Sequence, residues 1–250
     1  MSEKQGHNTP RDEAQAVYDR LWAAAREMFA VGRVKTDPHL LNRAADKRRG
    51  ITLVLRPDAE MITRLCAVID EINATAPGQH LYRPDELHLT ILALINALGE
   101  LDLDTVPLDR YRAVLDDLLP QVPPLTVHFT GVTASPDSVL VCGCSDGDAL
   151  NALRDRLRGA LTRAGLGDTL DRRYRIVTTH STILRFQAQP GNLPDLVRFL
   201  ESARTRDLGA FTAENVEFTF NDWYMSHDVT RVLERYPLGT RKITDLRIEN

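Results

Sequence analysis

The sequence predicts an α+β protein: two pseudo-symmetric β-sheet lobes with flanking helices around a central cleft, preceded by a helical N-terminal extension. Three observations lead there. Strand-like and helix-like segments recur in the same order in both halves of residues 50–238. The stretch HLTIL at 88–92 returns as HSTIL at 180–184, with four of five letters unchanged. The spacing repeats too. His88 follows the start of the first strand by 37 residues (51 to 88), and His180 follows the start of SVLVCGC by 42 (138 to 180). Thr90 precedes the next strand by 35 (90 to 125), and Thr182 by 33 (182 to 215).

The elements follow in order. Residues 1–10 are polar and read as a disordered tail. Residues 11–31 carry apolar positions at Val17, Leu21, Ala24, Ala25 and Met28, which is helical spacing. Residues 32–49 are polar and read as a linker or a loosely docked arm. Their closing triplet, Lys47, Arg48 and Arg49, reads as a solvated basic turn or a phosphate contact. Residues 1–49 thus form an extension, and 50–250 a two-lobed domain with halves at roughly 50–136 and 137–238. ITLVLRP at 51–57 is a strand. Pro57-Asp58 starts a helix to about Ala74, with Met61, Leu65, Val68, Ile69 and Ile72 on one face. LHLTILALI at 87–95 is an apolar strand, 105–119 a helix, and LTVHFTGVTA at 125–134 an alternating strand. Ser135-Pro136-Asp137 turns the chain into the strand at 138–144. A helix at 147–164 aligns Leu150, Leu153, Leu157 and Leu161. VTTHSTILRF at 177–186 is a strand, 193–204 a helix, and 215–226 and 230–238 are strands.

Composition narrows the function. The chain has 250 residues, 43% hydrophobic and 26% charged, which is ordinary for a globular protein. A net charge of −4 argues against a generic polyanion binder but leaves room for a local basic pocket. Three cysteines cannot build a disulfide framework, so a reducing compartment is expected. Cys142 and Cys144 read as small core residues, with a metal or redox pair as the sharper alternative. The first residues lack the apolar core of a signal peptide, and no run approaches the ~20 apolar residues of a membrane span. A cytoplasmic protein without membrane contact is expected.

His-x-Thr alone is a loose pattern. It occurs at His7, His88, His128 and His180. His7 sits in the tail, and His128 has no counterpart in the other half and reads as structural or surface. His88 and His180 differ. Residues i and i+2 of a strand share a face, so each His projects with its Thr, while Leu89, Ile91 and Ala93 take the other face. Polar pairs in apolar strands cost about 1–3 kcal/mol per group unless partnered. The same pair at matching points in both halves points to a joint site. Histidine, with an unperturbed pKa near ~6.5, can take or give a proton at neutral pH. Two of them across a cleft can deprotonate a nucleophile and protonate a leaving oxygen. The Thr hydroxyls can hold phosphate oxygens. No acidic metal cluster, nucleophilic Ser or Cys motif, or Gly-rich phosphate loop accompanies them. Metal-free and cofactor-free acid–base chemistry on a phosphodiester is expected.

LHLTILALI and THSTILRF resemble the two signatures of the two-histidine phosphoesterase superfamily. That superfamily includes 2'-5' RNA ligase-like proteins and 2',3'-cyclic phosphodiesterases. The resemblance covers roughly residues 50–238 and implies a bilobal fold with one motif per lobe. It implies that His88 and His180 are the acid–base pair and that Thr90 and Thr182 bind phosphate. Arg185 falls where many members carry an arginine; it adds charge to the site or buttresses the strand. The chain departs from the pattern in its N-terminal extension, in Thr179 where proline is common, and in a first strand without an early arginine or aromatic. Arg173, within the run Arg172, Arg173, Tyr174 and Arg175, reads as a nucleic-acid-contacting rim or a solvated loop. Tyr224 shares a strand face with Phe218, Phe220 and Asp222, while Trp223 takes the other; Tyr224 reaches the cleft or packs in the core. His227 is expected to be exposed. The implied substrate is a cyclic phosphate nucleotide or an RNA end, opened to a 2'-phosphate. A nucleotide- or RNA-binding module without turnover and a metal-dependent hydrolase are the rival classes. Two retained proton-transfer groups argue against the binding module.

Overall fold

The strand read at 51–57 forms as β1 (Arg49–Leu55) in the computed structural model, which describes residues 10–240. The tail over residues 1–9, His7 included, and residues 241–250 lie outside the described residues. β1 is flanked on both sides by other strands and buried from Gly50 onward, so its apolar run is continuous rather than alternating. Its neighbours are β3 (Leu89–Gly99) and β8 (Asn215–Asp222); β9 (Arg231–Pro237) completes a four-stranded sheet in the order β3-β1-β8-β9. The second sheet has the order β2-β6-β5-β4-β7, from β2 (His80–Leu81), β4 (Leu125–Ser135), β5 (Ser138–Ser145), β6 (Thr179–Arg185) and β7 (Asp207–Ala213). Every strand pair is antiparallel.

The sheets do not follow the expected division at 136/137. That boundary falls inside the β4–β5 hairpin, and each sheet takes strands from both halves of the chain. The reason is local. A tight turn at Ser135–Ser138 makes β4–β5 pairing cheap to close. β1 instead pairs with β8, from the far end of the chain. With β8 set against β4 and β9 against β7, the orders β3-β1-β8-β9 and β6-β5-β4-β7 match strand for strand. β2 is too short to be seen in a sequence pattern, and β7 follows its helix with only Leu208, Phe211 and Ala213 buried.

The helices form where periodicity places them: α2 (Ala59–Thr75), α3 (Leu108–Leu118), α4 (Ala149–Arg163) and α5 (Leu193–Ala203). Asp58 caps α2 by accepting from the Met61 amide at 2.8 Å. The N-terminal helix α1 (Pro10–Ala30) lies against the outer face of the five-stranded sheet. Its buried face is Tyr18, Trp22, Ala25 and Phe29, one position on from most of the expected apolar set. The Tyr18 hydroxyl donates to the Thr179 carbonyl at 2.5 Å. Trp22, Ala25 and Phe29 join the main core, so the extension is part of the domain.

The arm over 32–49 is not loosely docked. Asp37 caps a short 3-10 turn and accepts from the Tyr224 hydroxyl at 2.7 Å. Arg48 pairs with Asp46 at 2.7 Å and donates to the Tyr224 hydroxyl at 2.9 Å. Of the basic triplet only Lys47 is well exposed, paired with Glu100 at 2.8 Å.

Gly131 shows where glycine is required. It lies at a register shift in β4 with φ +88°, and a Cβ there would sit 2.1 Å from the Arg204 carbonyl oxygen. Gly78 has a similar φ of +78° but open space around it. Gly131→Ala is therefore expected to cost on the order of 2–4 kcal/mol, against about 1 kcal/mol for Gly78→Ala. Urea denaturation of the two variants checks this; equal losses would mean the clash relaxes.

Candidate active site

β3 and β6 meet where the two sheets adjoin, and each carries the same defect. In β3, Leu92 pairs with Leu53 and Thr90 with Val54, so Ile91 is an extra residue with no partner across the ladder. In β6, Leu184 pairs with Val139 and Thr182 with Leu140, so Ile183 is extra. Each is a β-bulge placed one residue after the threonine. A bulge resets the alternation of faces. Ile91-Leu92 and Ile183-Leu184 are consecutive buried pairs, and the residue after each pair returns to the threonine's side. Ala93, expected on the opposite face, therefore lines the cavity. Arg185, three residues from Thr182, reaches the cavity for the same reason.

One cavity collects His88, Thr90, His180, Thr182, Arg185 and Arg173. Tyr224 is not in its wall. It is buried under the site, with its hydroxyl held between Asp37 and Arg48. Trp223 lines the cavity instead. β8 ends at Asp222, whose carboxylate accepts from the amides of Tyr224 at 3.0 Å and Ser226 at 2.8 Å, so strand alternation does not extend to 224. Arg173 stacks over the Trp223 ring at 4.2 Å, with Arg48 at 4.9 Å from the same ring. Exposed Tyr174 also lines the cavity, so Arg173 and Tyr174 stand at its rim.

The polar groups are held asymmetrically. His88 Nδ1 lies 2.7 Å from the Glu86 carbonyl. A carbonyl only accepts, so Nδ1 carries the hydrogen and Nε2 of the neutral ring is an acceptor. His180 Nδ1 lies 3.0 Å from the Thr178 hydroxyl, which can donate or accept. Arg185 Nε donates to the Tyr82 hydroxyl at 3.0 Å. The two acids in the wall are already engaged: Asp171 by Arg158 at 2.6 Å, and Asp222 by Arg43 at 3.9 Å, the Ser226 hydroxyl and two amides. The available charge is thus positive and suits an anion. Burial, then the Arg56 charge, pushes His88 down to about 3. Burial, then Arg154 and Arg185, pushes His180 down to about 4.

Arg154 is fully buried on α4. Its guanidinium donates to the Ile91 carbonyl, the Thr90 carbonyl, the Thr178 carbonyl and Asn151 Oδ1, each at 2.8 Å. Successive carbonyls of a regular strand point in opposite directions. The bulge at Ile91 is what brings two of them to one guanidinium. Arg154 thereby ties the start of β3 to the segment that enters β6. Sequence reading missed it, although position 154 falls on the apolar face of α4 between Leu150 and Leu157.

The remaining candidates lie elsewhere. His128 is exposed and pairs with Asp146 at 2.7 Å, and exposed His227 pairs with Asp85. Cys142 and Cys144 are unbridged and half-buried, and burial pushes the Cys142 thiol up to about 12. Among the described residues no three His, Cys, Asp or Glu side chains are grouped to hold a metal ion. No helix among them is long and apolar enough to cross a membrane.

The folded-state pKa values of His88 and His180 lie below the ~6.5 of an unfolded histidine. Between those values the unfolded chain binds more protons, so stability is full above pH ~6.5 and falls as pH drops toward 4. A His88→Asn/His180→Asn double variant should show a shallower loss between pH 7 and 4.5 in urea titrations; an unchanged slope would mean that the rings are not desolvated. Arg154→Met leaves three carbonyls without their donor and should cost on the order of 3–5 kcal/mol. Calorimetry at pH 7 checks it, and a loss under about 1 kcal/mol would mean that water replaces the guanidinium.

Comparison with known proteins fits this arrangement. Among solved structures, TT0787 of Thermus thermophilus superposes with a TM-score of 0.56 at 18% identity, over 76% of this chain and 98% of that one. The protein of unknown function ATU0111 from Agrobacterium tumefaciens gives 0.52 at 18% identity, over 84% and 97%. LigT of E. coli complexed with NADP+ gives 0.50 at 16% identity, over 76% and 98%. These likenesses show the fold. No curated protein matches the chain. The family model of the 2'-5' RNA ligase superfamily matches residues 57–223, a span that holds both His-x-Thr strands and the Trp223 wall, and the chain belongs to that superfamily.

Proposed function

We propose that the protein is a metal-independent phosphodiesterase that opens 2',3'-cyclic phosphate ends of RNA or nucleotides to the 2'-phosphate. The observation that carries this reading is the convergence of two bulged His-x-Thr strands on one cavity whose acids are already paired. Water attacks phosphorus as its proton passes to one imidazole. The bond from phosphorus to the 3'-oxygen breaks, and that oxygen takes a proton from the other imidazole. Thr90, Thr182 and Arg185 hold the non-bridging oxygens. The hydrogen bond from His88 Nδ1 to Glu86 leaves Nε2 ready to accept, which makes His88 the base. His180, whose partner is a hydroxyl, is the acid. Both rings are neutral in the empty site. The bound phosphate anion raises the pKa of His180, and that supplies the acid form.

Wild type, His88→Ala and His180→Ala are incubated in EDTA with a short RNA ending in a 2',3'-cyclic phosphate, and the ends are resolved by mass. Wild type should form the 2'-phosphate, and each variant should lose about 10²–10⁴-fold in rate. A p-nitrophenyl leaving group needs no acid, so it should restore His180→Ala and not His88→Ala. Loss of wild-type turnover in EDTA would overturn the metal-free mechanism. Binding of the RNA without any product would favour a nucleotide- or RNA-binding module on the same fold.

A further inference from the structure

The cavity opens onto a loop that joins α4 to β6, and this loop runs away from the site toward a groove between α3 and α4. Its course is fixed at three points. Near its start, Arg110 of α3 donates to the Ala164 carbonyl at 2.5 Å. In its middle, Asn96 of the cavity wall donates to the Thr169 carbonyl at 3.1 Å. At its end, Asp171, Arg173 and Tyr174 form part of the cavity wall. Arginines mark the whole route. Arg156 and Arg163 line the α3–α4 groove with Arg110, Arg172 lies on the loop, and Arg173 stands at the rim. All five are exposed.

Among the described residues, Arg156, Arg163, Arg172 and Arg173 form no ion pair. Arg172 contacts a backbone carbonyl, and Arg173 stacks on the rings of Trp223 and Tyr174. The acids beside the route are Asp117, Asp155, Asp168 and Asp171. Asp155 holds Arg158 and Arg175, and Asp171 holds Arg158. Positive charge therefore prevails along the route although the whole chain carries −4. Arg156 and Arg163 are seven residues apart on one helix, so they share a face about 10 Å apart. The groove between them is floored by small residues, Ala113, Gly159 and Ala160, which let a backbone lie close.

From this we infer that the α3–α4 groove binds the phosphates of a single RNA strand whose 3' end occupies the cavity, so that the substrate is an oligonucleotide rather than a mononucleotide. The inference rests on the proposed chemistry only for what happens at the end of that strand. The groove and loop recognise backbone charge, and the Arg173–Trp223–Tyr174 rim lies where the strand turns inward. A polyanion of fixed spacing satisfies all five arginines; a mononucleotide reaches only the rim.

The test uses Arg156→Glu/Arg163→Glu, two exposed positions outside the cavity, with circular dichroism to confirm folding. A fluorescent ten-nucleotide RNA with a 3'-phosphate is titrated by anisotropy at two salt concentrations. Turnover of the same RNA with a 2',3'-cyclic phosphate is compared with turnover of a 2',3'-cyclic mononucleotide. The double variant should bind the RNA at least tenfold more weakly. It should also lose about 1.4 from the slope of log affinity against log salt, since each lost phosphate contact on a single strand removes about 0.7. Mononucleotide turnover should be unchanged. Unaltered RNA affinity and salt slope would overturn the groove. If neither substrate turns over yet RNA binding still depends on the two arginines, the groove stands and the phosphodiesterase reading falls.

Discussion

A single buried guanidinium fixes the geometry on which the site depends. Arg154 reaches both sheets, and its acceptors are all neutral: three main-chain carbonyls and one side-chain amide. A buried cation without a carboxylate is tolerated when its donors find acceptors, and four of the five guanidinium N–H groups do so here. Burial lowers its pKa to about 10, so it stays charged at neutral pH. Its charge also bears on His180 and helps to keep that ring neutral. One residue thus ties the two His-x-Thr strands together and adds to the burial that keeps one of their rings neutral.

The paired bulges explain why four letters of the repeat are shared. In HLTIL and HSTIL the isoleucine is the inserted residue and the leucine restores the ladder. Both must be buried, because the bulge turns them inward in succession. The carbonyl exposed by each insertion needs a donor. Arg154 supplies it at Ile91, and the Tyr82 amide supplies it at Ile183, at 3.1 Å. The quasi-symmetry of the strands is therefore met by unlike partners. That difference, together with the unlike partners of the two Nδ1 atoms, makes the cavity asymmetric in its chemistry.

Much of this was legible in the sequence. Apolar periodicity placed four core helices and the main strands, and the repeated motif placed His88, Thr90, His180 and Thr182 in one cavity. Pairing partners were not legible. β1 and β8 are far apart in the chain, and nothing local distinguishes a β1–β8 pairing from a division at 136/137. Strict alternation put Ala93 on the wrong face and chose Tyr224 over Trp223, since neither a bulge nor an Asp222-capped turn is visible in period-two reasoning. Arg154 left a signal, a charge at a core position of an amphipathic helix, whose acceptors only the fold reveals. The aromatic face of α1 was hidden behind an equally good aliphatic stripe one residue away.

The pairing of β1 with β8 also sets the order in which the molecule can be completed during synthesis. The five strands of the larger sheet lie between residues 80 and 213, so that sheet can close before the chain is finished. The smaller sheet cannot. Its central strand waits, apolar on both faces, until residues 215–222 emerge to cover its second edge. The Trp223 wall arrives immediately after them. During that interval β1 and β3 present an unpaired apolar edge, the kind of surface on which nascent chains associate wrongly. Chaperone demand on the ribosome should therefore centre on the open edge of β1 until β8 emerges.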